Sequence, residues 1–517
     1  MSNQTKRENI RIHILSLFFI NIKMYKCLLF SVNATGEFAR PPGIHRIATT
    51  LRQQNWDAEV IDFGSAWTLD ELKALALSRI DSNTKFIGFS YLMVQFNQVY
   101  EEFALWLKQE FPQVHLIYGS TMLPGFETEV FDYFVIGFGE FALLELLSYL
   151  YSNGTKPRFE ILLDSKKKVI NADTNYPAHP LKQARIIYEP RDFIQPNEWL
   201  GIEFSRGCKF KCSFCNAAVL GVKGDYSRDS QDAYLELQDN FDRWGVRSYT
   251  ITDDTFNDRT EKITKFADVV ETLNFKPWFT AFIRADLLAA RSKDREELLR
   301  MGVNAHFYGI ESFNSATMKA FKKGSDPNKI KQTLLEVKKL FTENGGYRGS
   351  IGLIVGGPHE TVATQEDAVN WLNENWSDQN ALLNVLILFE GKNAIKSLLS
   401  ESYEAYNYRK MTEEEIKPYA HLYDIVRNYN TTRSNHNKTI DFKILWDNSE
   451  YNIFTATILK HKFYRNNHIL RLGAFNLSYL SNDTIEDRLK KLYMDKDNGV
   501  IDLSIIQSYK NKKLSLT

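Results

Sequence analysis

At 517 residues the chain is too long for one ordinary domain, and length alone allows about three. A content of 44% hydrophobic and 25% charged residues falls in the globular range and excludes wholesale disorder. Lys plus Arg and Asp plus Glu both number 64, so no global attraction to nucleic acid or to an anionic membrane is indicated.

Residues 1–23 read as an N-terminal extension. Lys6, Arg7 and Arg11 precede an apolar stretch, Ile14 to Ile20, which is too short for a membrane span and lacks a small-residue cleavage site. Residues 24–152 then alternate strands and helices. Strands are expected at Tyr25–Val32, Glu59–Phe63, Phe86–Ser90, Val114–Tyr118 and Tyr133–Ile136, with helices at Ile44–Asn55, Leu69–Arg79, Gln98–Glu110 and Glu140–Leu150. Such alternation implies an α/β domain, Rossmann-like and doubly wound, with a parallel sheet covered on both faces. Ligands in such sheets lie beyond the carboxyl ends of the strands. Residues 153–198 read as a linker, in which Pro177, Pro180 and Pro190 interrupt any long helix and Phe159–Leu163 pairs with Val169–Asn171 as a small hairpin. Ile186, Ile187, Tyr188 and Phe193 are too apolar for a free tether.

Directly after an expected strand, Leu200–Phe204, comes Cys208-Lys-Phe-Lys-Cys212-Ser-Phe-Cys215, holding three of the chain's 4 cysteines. The C-x3-C-x2-C spacing lets a short coil wrap three thiolates around one corner of an iron-sulfur cube and leaves the fourth iron without a protein ligand. Two other metal sites remain open. Zinc would need a fourth ligand such as Cys27 or a His, and a plain electron-transfer cluster normally takes four thiolates. A disulfide would leave an odd thiol in a chain with no secretory logic.

Residues 199–391 continue as six strand-helix repeats, with further strands at Ser248–Thr252, Trp278–Ala281, Ala305–Ile310, Ser350–Val355 and Asn384–Phe389. Helices are expected near Gln231–Trp244, Glu261–Leu273, Arg295–Met301, Pro327–Phe341 and Thr364–Asn375. This describes a partial (β/α)6 barrel with its site at the carboxyl ends of the strands. The chemistry-bearing residues cluster there. Asp253 and Asp254 follow the second strand, and are left for another role if Asp258 and Glu261 form the capping box of the next helix. Ile283-Arg284-Ala285-Asp286 follows the third strand, Gly309-Ile310-Glu311-Ser312 ends the fourth, and Gly356-Gly357-Pro358-His359-Glu360-Thr361 follows the fifth. Residues 392–517 are rich in Tyr, Asn and Lys, with helices expected near Glu413–Asn428 and Ile485–Met494. This mainly helical region would cover the open side of the barrel.

Ser205-Arg206-Gly207-Cys208-x3-Cys212-x-Phe214-Cys215 resembles the signature of radical S-adenosylmethionine (SAM) enzymes, and the strand-end segments follow it in that family's order. The resemblance implies a 4Fe-4S cluster on Cys208, Cys212 and Cys215, with SAM chelating the open iron. It also implies acceptors for the methionine ammonium at Asp253 and Asp254, and a guanidinium for the carboxylate or ribose at Arg284. Glu311 would accept from the ribose or ammonium. Gly356, Gly357, Pro358 and the backbone of Phe214 would meet the adenine. The family's chemistry is reductive cleavage of SAM to a 5′-deoxyadenosyl radical, which implies a low-potential donor such as flavodoxin or ferredoxin and a cytoplasmic location. No individual catalytic residue is assigned.

Residues 24–152 resemble the cobalamin-binding-like domain of one branch of the same family, through Ser90-Tyr91-Leu92, Gly119 and Asp132 to Glu140. The D-x-H-x-x-G segment that would supply a cobalt ligand is missing, and His45 reads as a surface residue, so cobalamin itself stays open. The implied activity is a cobalamin-dependent C-methyltransferase acting on a small molecule or biosynthetic intermediate. Alternatives are a non-methylating cyclase, oxidase or rearrangement enzyme and, outside catalysis, a metal-stabilised binding module.

Overall fold

The computed structural model describes residues 25–32, 40–91, 97–120, 130–161, 168–172, 181, 184–196, 198–215, 226–324, 326–390, 397–422, 444–467, 495–496 and 499–500. The extension 1–23 and the helix expected at Ile485–Met494 fall outside them. Among the described residues no helix is long and apolar enough to cross a membrane.

The first unit runs β1 (Lys26–Val32), α1 (Pro42–Arg52), β2 (Asp57–Ile61), α2 (Leu69–Arg79), β3 (Thr84–Tyr91), α3 (Gln98–Glu110), β4 (His115–Ser120), β5 (Tyr133–Ile136) and α4 (Glu140–Tyr151). Alternate residues of each strand enter opposite layers, as the two-residue period of a strand requires. Leu28, Phe30, Ile87 and Phe89 pack beneath α2 and α3, whereas Leu29, Val60, Phe86 and Ile117 pack beneath α1 and α4. The hairpin expected in the linker, β6 (Glu160–Ile161) with β7 (Lys168–Asn171), joins this sheet. The strand order is β2-β1-β3-β4-β5-β7-β6. β7 lies parallel to β5 and covers what would otherwise be an open edge.

The second unit runs β8 (Trp199–Ile202), α5 (Ser230–Trp244), β9 (Ser248–Ile251), α6 (Thr260–Glu271), β10 (Trp278–Ile283), α7 (Ala285–Ala290), α8 (Lys293–Met301), β11 (Val303–Glu311), α9 (Ser315–Ala320), α10 (Pro327–Glu343), β12 (Arg348–Val355), α11 (Val362–Asn375) and β13 (Asn380–Val385). Its 6 strands lie side by side in sequence order, all parallel. Helix ends are set locally. Asp326 caps α10 with Pro327 as its first residue, and Gly245 and Gly302 close α5 and α8 with φ of +73° and +82°. Asp258 and Glu261, expected as a capping box, do not form one: Arg259 is the cap residue of α6 and gives no side-chain cap. Asp258 instead pairs with Lys262 at 2.7 Å.

Strand register divides the second sheet into two faces. Tyr249, Ile251, Phe279, Ile283 and Tyr308 share a core with Phe266 and Phe341 on the covering helices. The paired residues between them, including Thr250 beside Thr280 and Phe282 beside Phe307, therefore face the barrel interior. This assigns Tyr308 and its partner Tyr347 to the helical side, where Tyr347 donates to the Tyr308 hydroxyl at 3.0 Å.

His306 lies on the same side, fully buried, with its ring nitrogens 2.7 Å from the Tyr308 hydroxyl and 2.7 Å from the Val303 carbonyl oxygen. Burial holds its imidazole neutral down to about 4, whereas the unfolded chain takes up a proton near 6.5. The unfolded state thus binds more protons in that interval, so stability is full above about pH 6.5 and falls as the pH drops toward 4. H306Q is expected to remove about 3 kcal/mol of this pH dependence, as read from urea unfolding midpoints between the two values.

The described C-terminal region closes over β12 and β13. Helix α12 (Ile453–Asn466) packs on both strands. Asn452 caps it, a start obscured in the sequence by its β-branched residues. A short pairing of Arg409–Lys410 with Trp446–Asp447 buries Trp446, whose indole donates to the Leu386 carbonyl at 3.0 Å. The expected helix from Glu413 is a single α-turn, Glu413–Ile416, running into a 3-10 segment, Lys417–Leu422, and its remainder falls outside the described residues.

Candidate active site

The cysteine loop is fixed from behind by a buried acid. Asp253, at the end of β9, accepts from the backbone N–H of Phe204 at 2.8 Å, from that of Ser205 at 3.0 Å and from the Ser205 hydroxyl at 2.5 Å. Lys262 completes this knot, donating to Ser205 Oγ at 2.9 Å and to the Thr255 carbonyl at 3.3 Å, with Asp253 Oδ2 also 3.3 Å away. Both groups are buried, and an acid and an ammonium can be buried together only when each satisfies the other. Asp253 thus spends its oxygens on the loop. Asp254 is open to solvent, and its carboxyl is pushed above the usual range, first by partial desolvation and then by the charge of Asp253.

The thiols themselves are free of disulfides. Thr255 Oγ1 lies 3.5 Å from Cys208 Sγ, and Arg284 donates to Cys212 Sγ at 3.3 Å. That guanidinium is held by Asp286 at 3.0 and 2.6 Å and stacks over Phe210 at 4.1 Å. Its backbone is clamped by the buried Asn257 side chain, which accepts from Arg284 N at 2.8 Å and donates to its carbonyl at 3.0 Å. Beyond Cys212, Ser213 donates to the carbonyls of Phe321 and Ala320, and Leu399 donates to the Ser213 carbonyl at 2.7 Å. Cys27 cannot join the loop: it sits at the amino end of β1, fully buried, and desolvation followed by the charge of Asp57 pushes its thiol up. Among the described residues no three His, Cys, Asp or Glu side chains close around a single ion. Three thiols outside any disulfide, with hydrogen-bonding groups at Cys208 and Cys212, suit thiolate ligation of a cluster, whose properties depend on such hydrogen bonds.

Glu311 ends β11 in the left-handed region, with φ of +70°, a strained conformation for a residue other than glycine. Lys323 lies 3.1 Å from its carboxylate and over the ring of Phe214 at 5.8 Å, while Phe214 packs edge-on against Phe321. The next two motifs lock together. Ser312 and Thr364 both donate to the buried Glu360, and Thr317 donates to the Pro358 carbonyl at 2.6 Å. Gly356, with φ of +84°, lies so close under Trp446 that a Cβ would stand 2.4 Å from the indole. At Gly357 a Cβ would meet the Phe321 ring at 2.9 Å. These glycines are therefore required by packing in addition to any approach of a ligand.

A second opening lies between the two sheets. It is a cavity of about 440 Å³ at the carboxyl ends of the first sheet. Ser31, Gly88, Ser90, Gly119 and Ser120 leave room there, and Glu203, Arg206 and Thr252 face them from the second unit. Size and mostly apolar walls suit a cofactor site. No His lines it. His45, expected on the surface, is buried, with Nε2 2.9 Å from Asp62. Asp62 also receives Arg40, which in turn donates to Glu198 at 2.9 Å. The surface expectation fails because two fully buried charges, Arg40 and Asp62, enclose this end of α1.

Residues 202–372 match the family described as the Radical SAM superfamily. The barrel unit of the chain carries a Radical SAM domain. A curated relative, the anaerobic magnesium-protoporphyrin IX monomethyl ester cyclase of Synechocystis sp., is 22% identical over 236 residues, which cover 43% of this chain and 47% of the relative. The chain thus spans about half the length of that relative. Among solved structures, the radical S-adenosylmethionine methyltransferase TsrM from Kitasatospora setae, with cobalamin and a 4Fe-4S cluster bound, superposes with a TM-score of 0.64 at 14% identity over 91% of this chain and 96% of that one. The cobalamin-dependent S-adenosylmethionine radical enzyme OxsB gives 0.56 at 14% identity over 95% and 76%. The chain therefore has the fold of those enzymes, an N-terminal Rossmann-like domain ahead of a radical SAM barrel.

Lys262, Asn257 and Thr255 were not singled out by sequence reasoning. Lys262 did carry a signal, since it stands in the first turn of α6, where the helix dipole disfavours a cation.

Proposed function

We propose that the chain is a cobalamin-dependent radical SAM C-methyltransferase. Cys208, Cys212 and Cys215 would hold a 4Fe-4S cluster, and the cavity between the sheets would take a corrinoid. The cluster when bound supplies the electron that splits SAM to methionine and a 5′-deoxyadenosyl radical, and the corrinoid supplies a methyl carrier. The chain's own work is positioning. Asp253 and Lys262 shape the loop, Arg284 and Thr255 hydrogen-bond toward two sulfurs, and Asp254, Glu311 and the backbone at Phe214, Gly356, Gly357 and Pro358 line the region expected to receive SAM. Ser31, Gly88, Ser90, Gly119 and Ser120 would hold a corrinoid from the first unit, and Glu203, Arg206 and Thr252 from the second.

The observation carrying this reading is a disulfide-free cysteine triplet that starts two residues after Arg206, which lines an apolar cavity at the carboxyl ends of the first sheet. A non-methylating reaction is the second reading, favoured by the cyclase among the relatives. Either needs a low-potential donor and a small-molecule substrate.

Anaerobic reconstitution with iron, sulfide and hydroxocobalamin, followed by SAM and a strong reductant, tests it. The expected result is a 4Fe-4S spectrum, retained corrinoid and 5′-deoxyadenosine, with all iron signal lost when the three cysteines are replaced by Ala. Deoxyadenosine without retained corrinoid would favour the second reading. Zinc at the loop would overturn both.

A further inference from the structure

Arg206, two residues before the first cysteine of the loop, is held by both domains. Its guanidinium donates to Glu140 of α4 and stacks over Phe138 at 4.3 Å. It also donates to Glu203 at 2.8 and 3.1 Å. Glu140 is buried, while Phe138 is 40% exposed, and all four of these residues line the inter-domain cavity. Arg46 of α1 stands 3.9 Å from the same Glu140 oxygen. Its chain neighbour Ser205 is anchored within its own unit by Asp253 and Lys262. The segment entering the cysteines thus has one fixed anchor and one that belongs to the wall of a cavity.

We infer that Arg206 is a positioning residue that couples occupancy of the cavity to the order of the cysteine loop. A molecule filling the cavity contacts Phe138, Glu140 and Glu203 together and so presses the guanidinium into its fork. A buried, bidentate guanidinium tolerates little displacement, and Gly207, with φ of +77°, transmits the position of Arg206 to Cys208 along a short backbone path. This inference rests on reading the cavity as a cofactor site. Its core, that Glu140 orders the loop through Arg206, does not require that reading.

Hydrogen-deuterium exchange on the full chain decides it, comparing wild type, E140Q and E140D with and without hydroxocobalamin. E140Q is expected to speed exchange in the segment 204–212 on the order of tenfold while leaving β12 and α11 unchanged, with partial rescue in E140D. Hydroxocobalamin should slow exchange in that segment in wild type and do so much less in E140Q. Unchanged exchange in E140Q, or equal protection of both proteins by hydroxocobalamin, overturns the inference. If wild type binds no hydroxocobalamin, the corrinoid reading fails, and the comparison of E140Q with wild type still decides the role of Arg206.

Discussion

Asp253→Ala is expected to unfold the cysteine loop and to lower the unfolding free energy by about 3–5 kcal/mol, because it takes one of two carboxylates from the buried Lys262 ammonium, leaving it the partly exposed Asp258. Two backbone N–H groups and one hydroxyl lose their acceptor in the same step, and buried donors without acceptors carry their own cost. Asp253→Asn keeps one oxygen for the N–H groups and loses only the charge, so its loss should be smaller, roughly 1–3 kcal/mol. Iron incorporation should follow the same order, near wild type for neither and lowest for D253A. Denaturant unfolding alongside iron and sulfide analysis measures both. A D253A protein that melts with wild type and loads iron equally would show that the acid does not organise the loop.

Arg40→Ala should be comparably damaging for a different reason. Arg40 is fully buried and neutralises two acids, Asp62 and Glu198, at the junction of the domains. Removing it leaves two buried carboxylates without their main cation, at a cost of about 3–5 kcal/mol. Replacing Arg40, Asp62 and Glu198 together by apolar residues should recover much of that loss, since whole buried ionic groups are often dispensable for stability. The wild-type protein should also show an acid limb from this site. Burial pushes the Asp62 carboxyl up, but the charge of Arg40 and then that of His45, with their hydrogen bonds, bring it down to about 2. An unfolded Asp titrates near 3.9. The unfolded state therefore takes up protons first on acidification. Stability from Asp62 is full above about pH 4 and is lost as the pH falls toward 2, by about 2 kcal/mol. The limb should be absent from the triple variant, which thermal melts across that range would show.

Most of the fold was legible because both units obey local rules. Helices such as Leu69–Arg79 and Gln98–Glu110 start at side-chain caps, Thr68 and Asn97. Parallel strands buried on both faces read as continuous apolar runs, and the two-residue period then sorts their side chains. Helix α12 escaped notice because Ile453, Thr455, Thr457 and Ile458 are β-branched, and packing on β12 and β13 overrides their local preference. Asp258 and Glu261 had the spacing of a capping box, but Asp258 is drawn to Lys262 instead.

The sequence by itself determined which residues are candidates for chemistry: a cysteine triplet of fixed spacing and polar side chains at the ends of successive strands. Those are local features, written in spacing and residue type. Only the tertiary structure decided what each side chain faces. It turned Asp253 inward to the loop, buried His45 beside Asp62, placed Trp446 over Gly356 and brought Glu140 onto Arg206, 66 positions away. Such partnerships depend on which loops share one end of a sheet, and no local period or propensity encodes that meeting.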